Sequence, residues 1–487
     1  MSHPVSPVQP EDQTPDQAPP NTSLIIGVLV FTAFVMMLNE TTLAVALPSI
    51  MADFEVNAAT AQWLLTGFML TMAVIMPTTG WMLDRFSARG VFLTALASFL
   101  IGTVVAAISP TFEVMLGARV LQGAGTAIIM PLLMSVVMKL IDPSRRGTIM
   151  GLISVVMAVG PALGPTVAGA VLSMFGWHMI FWVMVPLVAA AGLIGLWKLP
   201  EIGERKDTPL DLISVVLSVF AFGGLIYGLS SVGIIIDGGE AATVALGILG
   251  VGVVGFILFV ARQRSLIKSG RALLDLTPFT IRNFSLCLAV MFTLFGSMLG
   301  MFNLLPIYLQ GSLLVTALVA GLVLLPGGLL EGLLSPLAGR IFDSAGPRPL
   351  IIPGIVLIVI SLFGLSTVDE TTALWFVITC HIVFSGALAF VLTPLMTTAL
   401  SSLPDNLYGH GSAILNTSLQ LAGAAGTAIL IAVYSASVEA DQLAGESAAA
   451  GIADGSSTAF LVAAFFSVAA AIISLFVQRA ETPAKAD

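Results

Sequence analysis

The sequence predicts an all-α integral membrane protein with fourteen spanning helices. Hydrophobic residues make up 57% of the 487 residues and charged residues only 9%, and the mean hydropathy is +1.04. Apolar runs of roughly 20 residues, the length that crosses a bilayer, follow one another along nearly the whole chain. Short basic clusters separate these runs. An ordinary soluble globule is therefore excluded.

Fourteen apolar runs have the length of a spanning helix, and we number them as predicted spans 1 to 14. Their predicted bounds are 24–47, 60–82, 91–109, 113–138, 148–172, 178–198, 211–233, 241–261, 283–310, 316–338, 350–367, 371–395, 411–434 and 458–478. Spans 1 to 6 form a predicted N-terminal bundle (24–198), and spans 9 to 14 form a C-terminal bundle (283–478). Residues 199–282 link the bundles and contain the two extra spans.

The distribution of basic residues gives the predicted orientation. All but one of the 18 Lys and Arg residues lie in six clusters, which are Arg85 and Arg89; Lys139, Arg145 and Arg146; Lys198, Arg205 and Lys206; the five from Arg262 to Arg282; Arg340 and Arg348; and Arg479 and Lys485. Fourteen spans place every cluster on one face, which the positive-inside rule makes cytoplasmic. We therefore predict a multi-pass protein of the cell membrane with both termini in the cytoplasm.

Three polar segments lie outside the predicted spans. Residues 1–23 are rich in Pro and lack Lys and Arg, which predicts a disordered cytoplasmic tail without the features of a signal peptide. Residues 479–487 form a second predicted cytoplasmic tail. The acidic segment 435–457, rich in Ala, Gly and Ser, predicts a flexible outer loop.

An internal repeat relates the two predicted bundles. The four shared positions with the same spacing are Pro77, Gly80, Asp84 and Arg89 after span 2, and Pro336, Gly339, Asp343 and Arg348 after span 10. Both copies lie at the cytoplasmic end of the second span of a six-span set. Repeated halves around a central path are the usual architecture of secondary transporters.

The first copy of the repeat has the chemistry of a cytoplasmic gate. Gly80 allows two helices to approach closely, and Asp84 can accept hydrogen bonds from a helix N-terminus or a guanidinium. Arg89 can brace neighbouring helix ends, and Gly90 follows it. The alternative is a basic turn that only obeys the positive-inside rule, and this alternative is favoured for Arg85 taken alone.

The second copy of the repeat predicts an equivalent gate contact from Gly339, Asp343 and Arg348. Ser344 and Pro349 stand where the first copy has Arg85 and Gly90. We therefore expect the contact in this half to be weaker.

Several segments resemble the major facilitator superfamily. Gly80–Arg89 resembles its loop signature G-x-x-x-D-R-x-x-x-R, Arg119–Ala127 its R-x-x-Q-G-x-G-x-A element, and Gly160–Pro165 the G-P-x-L-G-P element of its antiporters. Leu38–Pro48 is similar to an element of its fourteen-span drug:proton antiporter branch. Together with His410–Thr417, it resembles the lincomycin-resistance type of multidrug exporter. The resemblance covers the chain from about residue 24 to 478.

The resemblance implies the major facilitator fold, with two six-helix bundles plus two extra transmembrane helices. It implies a proton-coupled antiporter that exports amphipathic or cationic drugs by alternating access. The expected partners are small-molecule substrates, protons and the lipid bilayer, without nucleic acid and with function as a monomer. No cofactor, metal or enzymatic role is predicted, and the missing phosphate-loop motif argues against ATP as the energy source.

Two other functions are weighed against export. Uptake of a specific metabolite would use the same fold, but the Gly-Pro antiporter element counts against it. A membrane receptor or embedded enzyme would need a soluble module or a catalytic cluster, and the sequence offers neither.

Two opposite charges inside predicted spans form the candidate proton site. Glu40 in span 1 and Arg119 in span 4 lie roughly 12 and 9 Å below the outer surface, so they can meet if their helices face one cavity. Burial should raise the pKa of Glu40, whereas a neighbouring Arg119 should lower it. A carboxyl group balanced between these two effects could exchange a proton near neutral pH. We assign Asn39 and Gln122 to the same proton-coupling and substrate site. The alternatives are a static ion pair or an Arg119 side chain that reaches outward to Glu113.

Three further titratable residues lie in or near spans. Glu331 in span 10 could be a second proton site or a counter-charge for cationic drugs, or it could be a protonated helix contact. His381 in span 12 could titrate near neutrality, although a lone intramembrane histidine is more often a packing residue. His410 is predicted to be an interfacial polar residue at the mouth of span 13.

Span 5 predicts a helix suited to gating. Pro161 and Pro165 each remove a helix hydrogen bond, and Gly160, Gly164 and Gly169 leave shallow grooves for a neighbouring helix. A helix that kinks and packs closely against the opposite bundle suits rocking between two states. The alternative is ordinary helix packing.

Overall fold

The structure is a computed structural model that describes residues 22–56, 58–61, 63–198, 209–445 and 447–479. Most of both predicted tails, and residues 199–208 at the start of the predicted linker, lie outside these ranges. Within them every regular element is helical and no strand occurs. The predicted all-α class is confirmed.

Fourteen long helices, α1 to α14, follow one another along the chain. Their bounds are Thr22–Asp53, Trp63–Arg85, Ala88–Ala107, Phe112–Leu140, Arg146–Phe175, His178–Lys198, Leu212–Ser230, Gly239–Ile267, Arg282–Gly311, Ala317–Ala345, Arg348–Leu365, Leu374–Ser401, Tyr408–Ala444 and Ala448–Ser474. Within the described ranges, thirteen helices are long and apolar enough to cross a bilayer. The 30-residue helix α5 completes the fourteen predicted spans.

Helix packing repeats with a period of eight helices. In the first set α1 packs on α5 and α6, α4 packs on α2 and α3, and α3 packs on α6. In the second set α9 packs on α13 and α14, α12 packs on α10 and α11, and α11 packs on α14. Each contact therefore has a counterpart eight helices later. This is the pattern of two copies of one six-helix bundle that are separated along the chain by the two helices α7 and α8.

The described basic residues at helix termini share one end of the molecule, which we call the basic end. Arg85 and Lys139 lie in the last turns of even-numbered helices, and Arg340 lies five residues before the end of another even-numbered helix. Arg89 and Arg146 lie in the first turns of odd-numbered helices. Because successive helices alternate in direction, these positions coincide. The basic end is thus where α1 begins and where α14 finishes.

The two bundles meet where α5 crosses α10 and where α13 crosses α2 and α4. Gly147 and Gly339 face each other at the first crossing. A Cβ at position 147 would lie only 2.7 Å from the Gly339 carbonyl oxygen. Glycine at this point lets the helix backbones touch, and any side chain would force them apart.

The extra helices α7 and α8 pair with each other and lie beside both bundles, against α2 and α13. Gly224 and Gly252 permit their close approach, since a Cβ on Gly224 would lie 2.7 Å from the Gly252 Cα. At the basic end Arg262 binds both carboxylate oxygens of Asp211 at 2.6 and 2.7 Å. These bonds lower the pKa of Asp211 to about 2.

The prediction of a flexible outer loop over 435–457 is wrong. Helix α13 continues to Ala444 and α14 already begins at Ala448, so the turn is confined to a few residues around Gly445, whose φ is +83°. Alanine is the strongest helix former, and the Ser447 side chain caps α14 by accepting from the Ala450 N–H. Helix propensity therefore outweighs the polar composition that suggested a loop.

Candidate transport site and gate

Arg119 is fully buried on α4 and is held by neutral hydrogen-bond acceptors. Its Nη1 donates to Asn39 Oδ1 at 3.0 Å and to Gln122 Oε1 at 2.8 Å, and its Nε donates to the Leu64 carbonyl at 3.1 Å. The guanidinium carbon lies 4.1 Å from the centre of the Phe68 ring. A buried cation is thus fixed between α1, α2 and α4 by hydrogen bonds and by a cation–π contact.

Glu40 lies one residue beyond Asn39 on α1 and interacts electrostatically with Arg119. It remains partly accessible, whereas Asn39 is fully buried. Among the described residues, neither Arg119 Nη2 nor Asn39 Nδ2 has a hydrogen-bond partner. One of these unpaired donors, Arg119 Nη2, belongs to the guanidinium with which the Glu40 carboxyl interacts through space.

The Arg119 side chain adopts neither of the two alternative arrangements expected from the sequence. The Arg119 hydrogen bonds within the described part go to Asn39, Gln122 and Leu64, and none goes to Glu40 or Glu113. A closed ion pair and a side chain that reaches outward to Glu113 are thus both absent from this arrangement.

Sequence reasoning missed the residues that position Gln122. Its amide donates to Thr103 Oγ1 at 3.0 Å, and Thr103 itself donates to the Phe99 carbonyl at 2.7 Å. The amide is thereby oriented so that its oxygen faces Arg119. A lone threonine in an apolar span was the available signal, but its partner could only be known from the packing of α3 on α4.

At the basic end, the second copy of the repeat joins the two bundles. Asp343 on α10 accepts hydrogen bonds from the backbone N–H groups of Gly147 and Thr148, each at 2.8 Å, and from the Thr148 hydroxyl at 2.6 Å. It therefore caps α5 from the opposite bundle, where the helix dipole favours a negative charge. Ser344 and Pro349 take no part in these three bonds, and the expectation of a weaker contact in this half stays a prediction.

The first copy makes the related contact between α2 and α13. Asp84 Oδ2 lies 3.3 Å from His410 Nε2. Gly80 lies one turn earlier and faces the His410 ring. His410 lies in the first turn of α13, at the predicted mouth of span 13, but its side chain is only 5% exposed and contacts α2. Proximity of α2 and α13 in the fold, which the sequence does not encode locally, buries it.

The arginine of each copy braces the last helix of its own bundle. Arg89 donates to the Leu196 carbonyl near the end of α6. Arg348 donates to the Val477 carbonyl just beyond α14, at 3.2 Å. Gly90 donates its N–H to the Ser87 hydroxyl, which caps α3. Arg85 lies at the end of α2, within the same turn as Asp84.

Several hydrogen bonds join the bundles at or toward the basic end. Besides those of Asp84 and Asp343, they include Arg146 to Tyr408, Ser154 to Thr393, Ser401 to Met138 and Ser412 to the Pro131 carbonyl. The innermost are within about 14 Å of the helix ends. The basic end is therefore closed in this structure.

Glu331 and His381 differ in their surroundings. Glu331 is partly accessible on α10, and its side chain has no partner among the described residues. His381 is buried, with Nε2 3.1 Å from the Leu324 carbonyl and its ring 5.8 Å from that of Phe302. His381 thus makes the contacts of a packed histidine, whereas Glu331 does not.

Helix α5 runs without interruption through both Gly-Pro pairs. Near the basic end it packs on α10, and further along Gly160 and Gly164 face Met37 and Thr41 of α1. The side chains of Pro161 and Pro165 lie outside the described part, as does the burial of Gly169. α5 thus passes from a contact between bundles to a contact within its own bundle.

Two six-helix bundles related by a repeat, joined at one end and holding a buried charge between helices, define a secondary transporter of the membrane. The chain matches the sequence model of the Major Facilitator Superfamily over residues 29–427. It belongs to that superfamily, and it is accordingly a transporter and not an enzyme.

Similar proteins cover nearly the whole chain. The uncharacterized MFS-type transporter YcnB of Bacillus subtilis is 37% identical over 96% of this chain and 98% of its own. The lincomycin resistance protein LmrB of Listeria innocua is 38% identical over 94% of this chain and 97% of its own. The resemblance to the lincomycin-resistance type is thereby confirmed.

Solved structures share the fold at low sequence identity. The human organic anion transporter MFSD10 superposes with a TM-score of 0.63 at 18% identity, over 92% of this chain and all of the other. A double Trp mutant of XylE superposes with a TM-score of 0.66 at 16% identity, over 95% and 97% of the two chains. The predicted major facilitator fold is confirmed.

Proposed function

We propose that this transporter is a proton-coupled antiporter that exports amphipathic or cationic small molecules. The observation that carries the proposal is the unpaired Nη2 of buried Arg119 beside the interacting carboxyl of Glu40. Similar proteins support the export direction: several are named lincomycin resistance proteins, and the multidrug efflux pump LfrA of Mycolicibacterium smegmatis is 27% identical over 86% of this chain.

Proton exchange follows from competition for Arg119. A deprotonated Glu40 supplies the acceptor that Arg119 Nη2 lacks, and the resulting charge-assisted bond draws α1 toward α4. A protonated Glu40 interacts less strongly, which frees the guanidinium and relaxes the site. Each protonation state therefore favours a different arrangement of the two helices, as coupling requires.

The orientation of the protein follows from its charges. The positive-inside rule makes the basic end cytoplasmic, with both termini on that side. The structure is closed at this end, so protons would reach Glu40 from outside. Opening requires Asp343 to leave the N-terminus of α5 and Asp84 to separate from His410. Alternating access then consists of rocking one bundle against the other.

Glu331 supplies a counter-charge for cationic substrates in this proposal. It is the acid on α10 that is partly accessible without a side-chain partner in the described part of the chain. An ionised carboxylate is costly inside the membrane unless it is paired, and a cationic drug would provide the partner. Neutral amphipathic substrates would depend on it less.

Purified protein in liposomes with an imposed pH gradient tests the coupling. Glu40→Gln is expected to bind an exported dye but to lose uptake driven by the gradient by at least tenfold. Glu113→Gln, at the exposed start of α4, is the matched control and should behave as wild type. Normal proton stoichiometry in Glu40→Gln would refute the proposed role.

A susceptibility panel in a pump-deficient bacterium tests the substrate class. Expression should raise resistance to cationic and amphipathic drugs, and a protonophore should abolish the effect. Glu331→Gln should reduce resistance to cationic drugs more than to neutral ones. Unchanged susceptibility to every compound would favour transport of a metabolite.

A further inference from the structure

His410 lies where three parts of the molecule meet. Its ring is on α13 of the second bundle, its Nε2 faces Asp84 at the end of α2, and its Nδ1 accepts the backbone N–H of Asp275 at 3.1 Å. Asp275 belongs to the segment that connects α8 to α9. A single buried side chain therefore contacts both bundles and the segment between them.

These contacts determine which ring nitrogen carries the proton. Because the Asp275 N–H donates to Nδ1, that nitrogen has a free lone pair, and Nε2 carries the hydrogen of the neutral ring. Nε2–H then donates to the Asp84 carboxylate, and an ionised acceptor strengthens such a bond. The neutral imidazole acts as an acceptor on one side and as a donor on the other.

The glycine of the gate motif creates the space for this ring. A Cβ at position 80 would lie 3.0 Å from His410 Cε1 and 3.1 Å from Cγ. Gly409, the residue before His410, also lies close to α2. A Cβ on Gly409 would lie 3.2 Å from the Cβ of Leu83, one turn beyond Gly80. The ring can reach Asp84 only because Gly80 of α2 and Gly409 of α13 carry no side chain.

The segment that contains Asp275 is anchored independently of His410. The Leu274 N–H donates to Gln263 Oε1 on α8 at 3.1 Å, and the Asp275 carboxylate accepts the Thr277 N–H at 2.8 Å. Leu274 is itself buried. The Asp275 N–H is thus presented to His410 from a fixed backbone.

We infer that His410 is a positioning residue that holds the basic end closed and connects the segment from α8 to α9 to that closure. The inference rests on the proposed alternating access, because opening the basic end separates α2 from α13. The bond between His410 and Asp84 must then break, whereas the bond to Asp275 does not cross between the bundles. His410 therefore distinguishes the closed state from the open one.

Distances between spin labels test the inference without transport. Labels at Phe86→Cys and Asn406→Cys occupy exposed sites at the facing ends of α2 and α13, in a background where Cys287 and Cys380 are replaced by alanine. His410→Gln keeps one acceptor and one donor and should retain the short distance. His410→Phe keeps the ring but loses both bonds, and the population with the long distance should rise about tenfold.

The control variant is compared with His410→Phe by the same distances between spin labels. His178→Phe replaces a histidine that stacks on Trp177 at the opposite end of the bundle, and it should leave the distances unchanged. If His410→Phe melts like wild type and also shows wild-type distances, the inference is overturned. Equal shifts in His410→Gln and His410→Phe would overturn it as well, since the hydrogen bonds would then be irrelevant.

The experiment also separates this inference from the proposed function. The distances are measured without substrate or proton gradient, so they do not depend on Glu40. A label shift in His410→Phe together with normal coupling in Glu40→Gln would support His410 and refute the proton site. Wild-type distances in His410→Phe together with lost coupling in Glu40→Gln would refute the role of His410 and support the proton site.

Discussion

At the scale of single residues, Arg119 shows why the type of cation matters. Its three hydrogen bonds leave from two nitrogens of a planar group, and its face lies over Phe68. A lysine ammonium is a compact charge on a flexible stem and cannot reproduce this arrangement. The site is therefore specific for guanidinium and not for positive charge in general.

We predict that Arg119→Lys lowers transport at least tenfold and destabilises the protein by about 1–3 kcal/mol, because buried acceptors lose their donors. Transport in liposomes and thermal unfolding in detergent check the two effects. Arg145→Lys, on an exposed arginine at the basic end, is the control and should change neither. Full transport by Arg119→Lys would show that charge alone suffices.

At the scale of helices, the pair α7 and α8 is joined by the ion pair of Asp211 and Arg262 at the basic end. The hydrogen bonds from Arg262 lower the pKa of Asp211 to about 2, against about 3.9 in an unfolded chain. The pair therefore adds stability above about pH 4, and this contribution disappears as the pH falls from about 4 to about 2.

We predict that Asp211→Asn lowers stability by about 1 kcal/mol at neutral pH, a modest value because Arg262 is partly solvated. Melting temperatures measured between pH 6 and pH 3 should fall less steeply in the variant than in wild type. Asp454→Asn, on an exposed carboxylate of α14, should leave the curve unchanged. Parallel curves for Asp211→Asn and wild type would contradict the prediction.

At the scale of the whole molecule, closure at the basic end depends on two glycines, Gly147 and Gly339, where α5 crosses α10. A Cβ at Gly339 would collide with the Gly147 carbonyl and would lie 3.0 Å from the Thr148 Cα. The neighbouring Asp343 can cap α5 only when this crossing is tight. Steric fit and charge therefore act together to select one arrangement of the bundles.

We predict that Gly339→Val keeps the protein folded but prevents closure at the basic end, so that transport is lost by more than tenfold. Labelling of single cysteines in vesicles of both orientations should show access from the basic end only. Gly328→Ala on the same helix meets no neighbouring atom within 4 Å and serves as the control. A Gly339→Val protein that still transports would refute the steric role of this crossing.

Much of the architecture was predictable because it depends on local properties of the chain. Apolar length and the one-sided placement of Lys and Arg predict the fourteen helices, and the repeat around Asp84 and Asp343 predicts two related bundles. The polar segment 435–457 misled the prediction, since its alanines continue two helices. Composition alone does not separate a polar helix end from a loop.

The site was only partly predictable. Glu40 and Arg119 stand out as charges in apolar runs, and in the structure they interact electrostatically without a direct hydrogen bond. Thr103, Phe68 and His410 gave no comparable signal, because their roles arise from neighbours that are distant in the chain.

The sequence by itself determined the number of spans, the shared face of the basic residues and the two charges inside the bundle, since each follows from the cost of placing polar groups in hydrocarbon. Only the tertiary structure decided which atoms those charges meet. Packing of α1 against α4 left one nitrogen of Arg119 unpaired, and packing of α2 against α13 buried His410 between Asp84 and Asp275. Contacts of this kind depend on how separate helices fit together, which no local pattern records.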